Sequence, residues 1–125
     1  MPMTKIITKP NILVIGDIIL DYYLIGESSR ISPEAPIPVV QIGDHKFTLG
    51  GAGNVASNLS SLGAKVEIIS VVGKDGNAKL VIDLLKQRSI NFSNIVYSKN
   101  RITSKKTRVV ANKQQVVRFD EEVID

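Results

Sequence analysis

The chain has 125 residues, of which 43% are hydrophobic and 22% are charged, and its 16 lysine and arginine residues against 12 acidic ones give a formal net charge of +4. This composition, without a long apolar run or a low-complexity tract, is typical of one globular domain or part of one. The lack of cysteine in the sequence excludes a disulfide framework and a thiolate metal site.

Two further features narrow the class of protein. Residues 1–5 lack the apolar core of a signal peptide, so we expect a cytoplasmic protein with no membrane partner. The single histidine, His45, cannot form a histidine zinc site alone, and we expect it in a turn between strands. We therefore predict no metal site in this chain.

Two apolar runs predict strands that are buried on both faces of a parallel sheet. The first, residues 11–16, follows Pro10, and the second covers residues 65–72. A helix is predicted between them, and another over residues 78–88, whose apolar face consists of Leu80, Val81, Leu84 and Leu85. This alternation of strand and helix favours an α/β fold.

A glycine-rich segment, residues 50–56, opens the first predicted helix, and Gly63 is placed to end it. Unpaired N–H groups and the dipole at a helix N-terminus favour hydroxyl or anionic oxygen atoms, and glycine lets a ligand reach this backbone. Asn54, in the first turn, offers a donor and an acceptor for sugar-like hydroxyls, with a role as helix cap as the alternative. The glycines have a structural alternative too, which is tight packing of the helix on a sheet.

Two aspartates follow the first predicted strand, at the edge where α/β proteins bind polar ligands. We favour Asp21 as an acceptor for sugar hydroxyls because it lies further into the predicted loop. Asp17, directly after Gly16, is placed to brace nearby backbone amides. A capping or turn role is the alternative for both.

Two other regions predict a small β-sheet outside the α/β core. One is typical of two short strands joined at residues 43–44, and the other of a hairpin that turns near residues 112–113. We interpret this sheet as a lid over the glycine-rich helix. The predicted division is a core of residues 10–30 and 50–98 and a lid of residues 37–49 and 103–119.

Positive charge is concentrated in residues 84–119, which contain nine basic residues and no acidic one. We expect a positive field that attracts a small phosphorylated substrate, and the alternative is a solvated basic face that another part of the protein compensates. Nucleic acid is a weaker candidate, because the only aromatic residues in the stretch are Phe92, Tyr97 and Phe119 and no nucleic-acid motif occurs.

Four segments resemble the ribokinase-type (pfkB) family of carbohydrate kinases, and within it the branch of bacterial D-glycero-β-D-manno-heptose 7-phosphate kinases. They are residues 14–21 (VIGDIILD), 29–39 (SRISPEAPIPV), 50–56 (GGAGNVA) and 112–120 (NKQQVVRFD). The third segment is shared across the sugar kinases, whereas the second is much more specific to the heptose phosphate branch. Together they span nearly the whole chain.

The resemblance implies a ribokinase-like α/β core with a small β-sheet lid, of which this chain holds the N-terminal portion. It implies that four residues bind the sugar hydroxyls: Asp21, Gly50, Gly51 and Asn54. The lid would close over the site, exclude water and, as in many relatives, form a homodimer interface.

The same resemblance places the substrate phosphate near the lid. Lys106 or Arg108, in the matching lid segment, is expected to contact the phosphate that the sugar already carries. Arg118 is a further candidate, with an ion pair to Asp120 as the alternative.

The chain departs from the family in one respect that concerns mechanism. A later Gly-Ala-Gly-Asp segment, whose aspartate is the family's general base, does not occur, and Asn54 of the segment 51–54 cannot take a proton. We therefore expect a fragment, separated from or normally fused to a C-terminal half, that holds much of the sugar site but neither the ATP site nor the base, and that is inactive alone. The alternative is an intact chain whose missing half comes from a partner. The complete enzyme is expected to use ATP and Mg²⁺ to phosphorylate heptose 7-phosphate at O1, on the path to ADP-heptose for lipopolysaccharide.

Two other interpretations stay open at this point. Gly51-x-Gly53-x-x-Ala56 fits the dinucleotide fingerprint, and Asp75 follows at the distance expected of a ribose-binding acid, which would indicate an oxidoreductase. The better core strand, however, ends at Gly16 instead of running into the glycines. The other interpretation is a non-catalytic module that binds a sugar phosphate or dimerises.

Overall fold

The computed structural model describes residues 9–123, which form seven strands and two helices. In chain order the elements are β1 (Asn11–Ile15), β2 (Ile18–Ile31), β3 (Pro38–Gly51), α1 (Ala52–Ser61), β4 (Lys65–Gly73), α2 (Gly76–Gln87), β5 (Ile95–Ser98), β6 (Lys105–Ala111) and β7 (Gln114–Glu121). The prediction about residues 1–5 falls outside the described part of the chain. Neither of the two helices is long and apolar enough to span a membrane.

The first sheet is parallel and has the strand order β1-β4-β5. The strands predicted over residues 11–16 and 65–72 are confirmed as β1 and β4, and they pair with Ile12 opposite Val66. The predicted burial on both faces is wrong for β1, because Leu13 and Ile15 are exposed in the described structure. Both helices contribute to one apolar cluster with this sheet, which confirms the predicted α/β class. The most buried members of the cluster include Val66, Ile68, Ala56, Val81 and Leu85.

The helix bounds follow from local signals. Gly51, with φ 57°, is the N-cap of α1, and Gly63, with φ 94°, follows its C-terminal end, so both predicted glycine positions are confirmed. The second predicted helix is confirmed as α2, which starts after Asp75. The Asp75 carboxylate caps it by accepting the Ala78 N–H at 2.9 Å.

The second sheet has four strands in the order β3-β2-β6-β7, and we call it the four-stranded sheet. β2 pairs antiparallel with β3 and parallel with β6, and β6 pairs antiparallel with β7. The hairpin predicted in residues 103–119 is confirmed as β6 and β7. Its turn lies at Asn112 and Lys113, which both have positive φ, 51° and 65°.

The prediction of two short strands in residues 37–49 is wrong. β3 is one strand of 14 residues because it pairs along the whole of β2, so that Gly43 and Asp44 lie inside the strand and do not form a turn. His45 is therefore on a strand and not in a turn, and its Nδ1 lies 3.0 Å from the Tyr22 hydroxyl oxygen.

Asp21 is also placed differently from the prediction. It lies on β2 and not in a loop, because only two residues separate β1 from β2. Since β2 belongs to the four-stranded sheet, the predicted core range 10–30 is too long, and the first core strand ends at Ile15. Asp21 thus lies on the sheet that contains both predicted lid regions.

A cluster of buried side chains joins the start of β2 and the end of β3 to the parallel sheet. Leu20 is completely buried, and Ile18 and Leu49 are nearly so. A side chain at Gly53 would place its Cβ only 2.9 Å from Ile18 Cγ1, so glycine at this position lets α1 approach β2. The start of α1 is thereby fixed beside the start of β2 and the end of β3.

Candidate functional site

A cleft of about 530 Å³ lies between the four-stranded sheet and α1. Its lining includes all four residues that were predicted to bind sugar hydroxyls: Asp21, Gly50, Gly51 and Asn54. They come from β2, from the end of β3 and from the first turn of α1. The structure therefore brings a carboxylate, a glycine backbone and a side-chain amide to one place.

The Asp21 carboxylate is held from one side by Arg108. The Arg108 Nη1 donates a hydrogen bond to Asp21 Oδ1 at 2.8 Å, and both side chains are largely buried. This hydrogen bond raises the pKa of Arg108 above its ordinary value. The other carboxylate oxygen, Oδ2, faces Gly50, where any side-chain carbon would clash with it.

Gly51 forms the sharp turn between β3 and α1. Its positive φ favours glycine, and a Cβ at this position would also clash with the main-chain oxygen of Asp17. That same oxygen accepts the Ala52 N–H at 2.8 Å. Asp17 therefore braces a backbone amide, as predicted, but through its carbonyl group, and its side chain does not line the cleft in the described structure.

Asn54 is exposed in the first turn of α1 and lines the cleft. The N-cap of α1 is Gly51, and no side chain caps this helix, so the alternative role of Asn54 as a helix cap is not realised. The first turn of α1 also lacks an acidic residue. Apart from the Ala52 N–H, which donates to the Asp17 carbonyl, the backbone N–H groups at this helix start therefore have no side-chain cap and can donate to a ligand oxygen.

Basic residues of β6 and β7 are paired with acidic neighbours. Lys106 Nζ lies 2.9 Å from Asp120 Oδ2, and Arg118 Nε lies 3.1 Å from Asp120 Oδ1, which confirms the alternative role given to Arg118. The hydrogen bond from Lys106 lowers the pKa of Asp120. Within residues 9–123, neither Lys106 nor Arg108 lines the cleft. Their contact with a substrate phosphate stays a prediction.

The cleft contains polar residues that the sequence reasoning did not single out. Lys46 on β3 and Arg88 after α2 supply basic groups to its lining. One side of α1 adds a polar stripe to the lining. Its residues are spaced by three and four positions, and this helical spacing is the sequence signal by which they could have been predicted. This stripe continues from Asn54 through Ser57, Asn58 and Ser61.

Asp75 has a structural role within the described fold. Its carboxylate accepts the Thr103 N–H and the Thr103 hydroxyl, both at 2.8 Å, in addition to the Ala78 N–H. Burial alone would raise the pKa of Asp75, but the hydrogen bonds from Thr103 and Ala78 outweigh it and lower the pKa below its usual value. The acid required by the dinucleotide interpretation is therefore engaged in holding α2 to the segment before β6.

No group of three or more histidine, cysteine, aspartate or glutamate side chains in residues 9–123 is placed to hold a metal ion. Asp21, the acidic residue of the cleft lining, already accepts from Arg108.

The chain belongs to the pfkB family of carbohydrate kinases, since residues 9–124 match the family described as pfkB family carbohydrate kinase. It is 52% identical over 117 residues to the bifunctional protein HldE of Aliarcobacter butzleri (strain RM4018). That match covers 94% of this chain and 25% of HldE. The chain thus spans about a quarter of the length of the curated relatives that it matches.

Two solved kinase structures share the fold. A carbohydrate kinase from Agrobacterium tumefaciens superposes with a TM-score of 0.70 at 27% identity, over 90% of this chain and 35% of that one. A nucleoside kinase of Methanocaldococcus jannaschii, an archaeal member of the ribokinase family, gives a TM-score of 0.65 at 27% identity, over 91% of this chain and 37% of that one. The predicted ribokinase-like α/β fold is confirmed, and the oxidoreductase interpretation is wrong.

Proposed function

We propose that the chain is the sugar-binding part of a kinase that transfers the γ-phosphoryl group of ATP to O1 of D-glycero-D-manno-heptose 7-phosphate. The observation that carries this proposal is the arrangement of Asp21, Gly50, Gly51 and Asn54 around one cleft in a chain of the pfkB family. The choice of a heptose phosphate is supported by segment 29–39 and by the identity with HldE.

The proposed role of these residues is to bind and orient the sugar. Asp21 Oδ2 accepts hydrogen bonds from hydroxyl groups, and the backbone N–H groups at the start of α1 donate to hydroxyl oxygens. Asn54 does both with one side chain. Gly50 and Gly51 allow the sugar to lie close to the backbone because they present no side chain.

In this proposal ATP, Mg²⁺ and the general base come from parts of the kinase other than residues 9–123. Bound ATP supplies the phosphoryl group and Mg²⁺ offsets the charge of its phosphates. The product is the 1,7-bisphosphate, an intermediate toward ADP-heptose and the lipopolysaccharide core, made in the cytoplasm. The chain alone binds sugar without turnover.

The four-stranded sheet is the proposed lid and the proposed contact surface for a second copy of the chain. A lid over the sugar excludes water and so protects the phosphoryl donor from hydrolysis. The dimer part of the proposal is supported by exposed apolar side chains on the outer strand β7. These are Val116, Val117 and Phe119.

Calorimetric titration of the full 125-residue chain, after circular dichroism has shown it to be folded, tests the proposal. We expect saturable binding of heptose 7-phosphate that falls at least about tenfold in Asp21→Asn, because a charged acceptor is lost. Asp83→Asn removes the same charge from the exposed side of α2 and should bind like the unmodified chain. A folded chain that binds neither the phosphorylated nor the unphosphorylated heptose would contradict the proposal.

A further inference from the structure

Arg108 contacts two residues of the cleft lining, Asp21 and Tyr23, and bonds to the first of them. Asp21 lines the cleft, whereas Arg108 does not line it in the described structure. The ion pair between them is tight, with 2.8 Å from Nη1 to Oδ1, and the side chains of Arg108 and Asp21 are only 20% and 15% exposed. The guanidinium therefore lies against the carboxylate from outside the cleft.

The two oxygens of the Asp21 carboxylate consequently have different surroundings. Oδ1 accepts the Arg108 hydrogen bond, and Oδ2 lies against Gly50, which has no side chain to cover it. A carboxylate that is free to rotate would exchange these two oxygens. With Oδ1 held, only Oδ2 is presented to a ligand.

Arg108 is itself held in place. β6 runs parallel to β2, with Arg108 in register with Tyr23, and the Arg108 guanidinium lies 5.4 Å from the centre of the Tyr23 ring. Lys106 is in register with Asp21 and is the nearer residue along the strand, yet its ammonium pairs with Asp120. The Asp21 carboxylate thus accepts its hydrogen bond from Arg108 and not from Lys106, the residue opposite it.

We infer that Arg108 is a positioning residue for Asp21 and does not bind the substrate phosphate. By fixing Oδ1, Arg108 presents Oδ2 to a sugar hydroxyl before the sugar arrives, so that less ordering is required on binding. This inference rests on the proposed function, because it assumes that a sugar occupies the cleft. It assigns Arg108 to the hydroxyl end of the ligand.

Two sugars distinguish positioning from phosphate binding. Calorimetric titrations with heptose and with heptose 7-phosphate should both show a loss of about tenfold in Arg108→Gln, and by the same factor, since the lost interaction concerns the shared hydroxyl end. Arg108→Lys keeps the positive charge and should recover part of the affinity for both sugars. Lys113→Gln removes a positive charge from an exposed residue in the turn of the same hairpin, outside the cleft lining, and should leave both affinities unchanged.

Three results would overturn the inference, and they separate it from the proposed function. A loss confined to heptose 7-phosphate in Arg108→Gln would make Arg108 a phosphate ligand and leave the proposed function intact. Unchanged affinity for both sugars in a folded Arg108→Gln chain would remove any role for Arg108 in binding. Lack of binding of either sugar to the folded unmodified chain would contradict the proposed function, and the inference with it.

Discussion

Asp21 and Gly50 are in such close contact that no side chain fits between the carboxylate and the end of β3. A Cβ at position 50 would clash first with Asp21 Oδ2, the oxygen on the other side of the carboxylate from the Arg108 hydrogen bond. The backbone at Gly50 has an ordinary negative φ, so space and not conformation requires glycine here. The carboxylate and the glycine therefore form one unit of the candidate site.

Gly50→Ala should displace the Asp21 carboxylate and lower the affinity for heptose at least about tenfold, because the added methyl group takes the space of Oδ2. Titration calorimetry measures the loss. Gly43→Ala is the matched control, since it lies on the same strand and its added Cβ would meet no atom within 4 Å. Equal affinities in Gly50→Ala and Gly43→Ala would show that the contact does not matter for binding.

Gly53→Ala should destabilise the fold where α1 packs against the start of β2 and the end of β3. The added Cβ would lie 2.9 Å from Ile18 Cγ1 and 3.1 Å from Leu49 Cβ, and overpacking of this kind costs about 1–3 kcal/mol. Alanine gains about 1 kcal/mol over glycine in a helix, so we expect a net loss of up to about 2 kcal/mol in thermal denaturation.

Two further variants check that the clash causes this loss. Ile18→Val in the Gly53→Ala background removes a methyl group from the crowded side chain and should recover part of the stability. Gly76→Ala, at the start of α2, meets open space and should be neutral or slightly stabilising. A Gly53→Ala chain as stable as Gly76→Ala would disprove the steric explanation.

Asp75→Ala should lower the free energy of unfolding by about 1–3 kcal/mol at neutral pH, because the α2 cap and the bonds from Thr103 are lost. The pKa of Asp75 is lower in the folded chain than its usual value. Its stabilising contribution is therefore complete above the unfolded-state pKa and disappears as the pH falls through the lower folded-state pKa.

The melting temperatures of the unmodified chain and of Asp75→Ala should accordingly converge as the pH is lowered from about 6 to about 3. Differential scanning calorimetry across this range makes the comparison. Asp83→Ala removes an exposed carboxylate from the same helix and should show no such pH-dependent gap. A gap for Asp75→Ala that stays constant down to about pH 3 would speak against the role of its ionised form.

Leu20→Ala should cost about 2–5 kcal/mol in urea denaturation, because Leu20 is completely buried where the two sheets meet and its removal leaves a cavity. Ile31→Ala, at the other end of β2, changes a side chain that is 64% exposed and should cost much less. Similar losses for the two variants would mean that the junction is not the main source of stability along β2.

Local patterns in the sequence were sufficient for the elements whose signals lie within a few residues. The apolar runs gave β1 and β4, Gly51 and Gly63 bounded α1, and the turn at Asn112 and Lys113 gave the last hairpin. The turn predicted at Gly43 and Asp44 was wrong because a local turn signal is overridden when a long partner strand pairs across it.

The candidate site was predictable in its parts and not in its arrangement. Gly50, Gly51 and Asn54 are neighbours in sequence, and Asp21 was found through its position after a strand. The pairing of Asp21 with Arg108 has no local signature, because it depends on β6 lying beside β2. The basic residues were visible as a charged stretch, whereas their acidic partners, Asp120 and Glu121, belong to the neighbouring strand β7.

The parallel pairing of β2 with β6 has a consequence for the order in which the site is completed. Asp21 and Arg108 are separated by 87 positions, whereas β2 and β3 form a hairpin across a short loop. Contacts that close long stretches of chain form late, because the entropy of closure must be overcome first. During synthesis the chain therefore passes through a stage in which the β2–β3 hairpin exists and the other edge of β2, which later pairs with β6, has no partner strand. Until β6 arrives, that edge is available to strands of other chains, so association with foreign strands competes with completion of the sugar site.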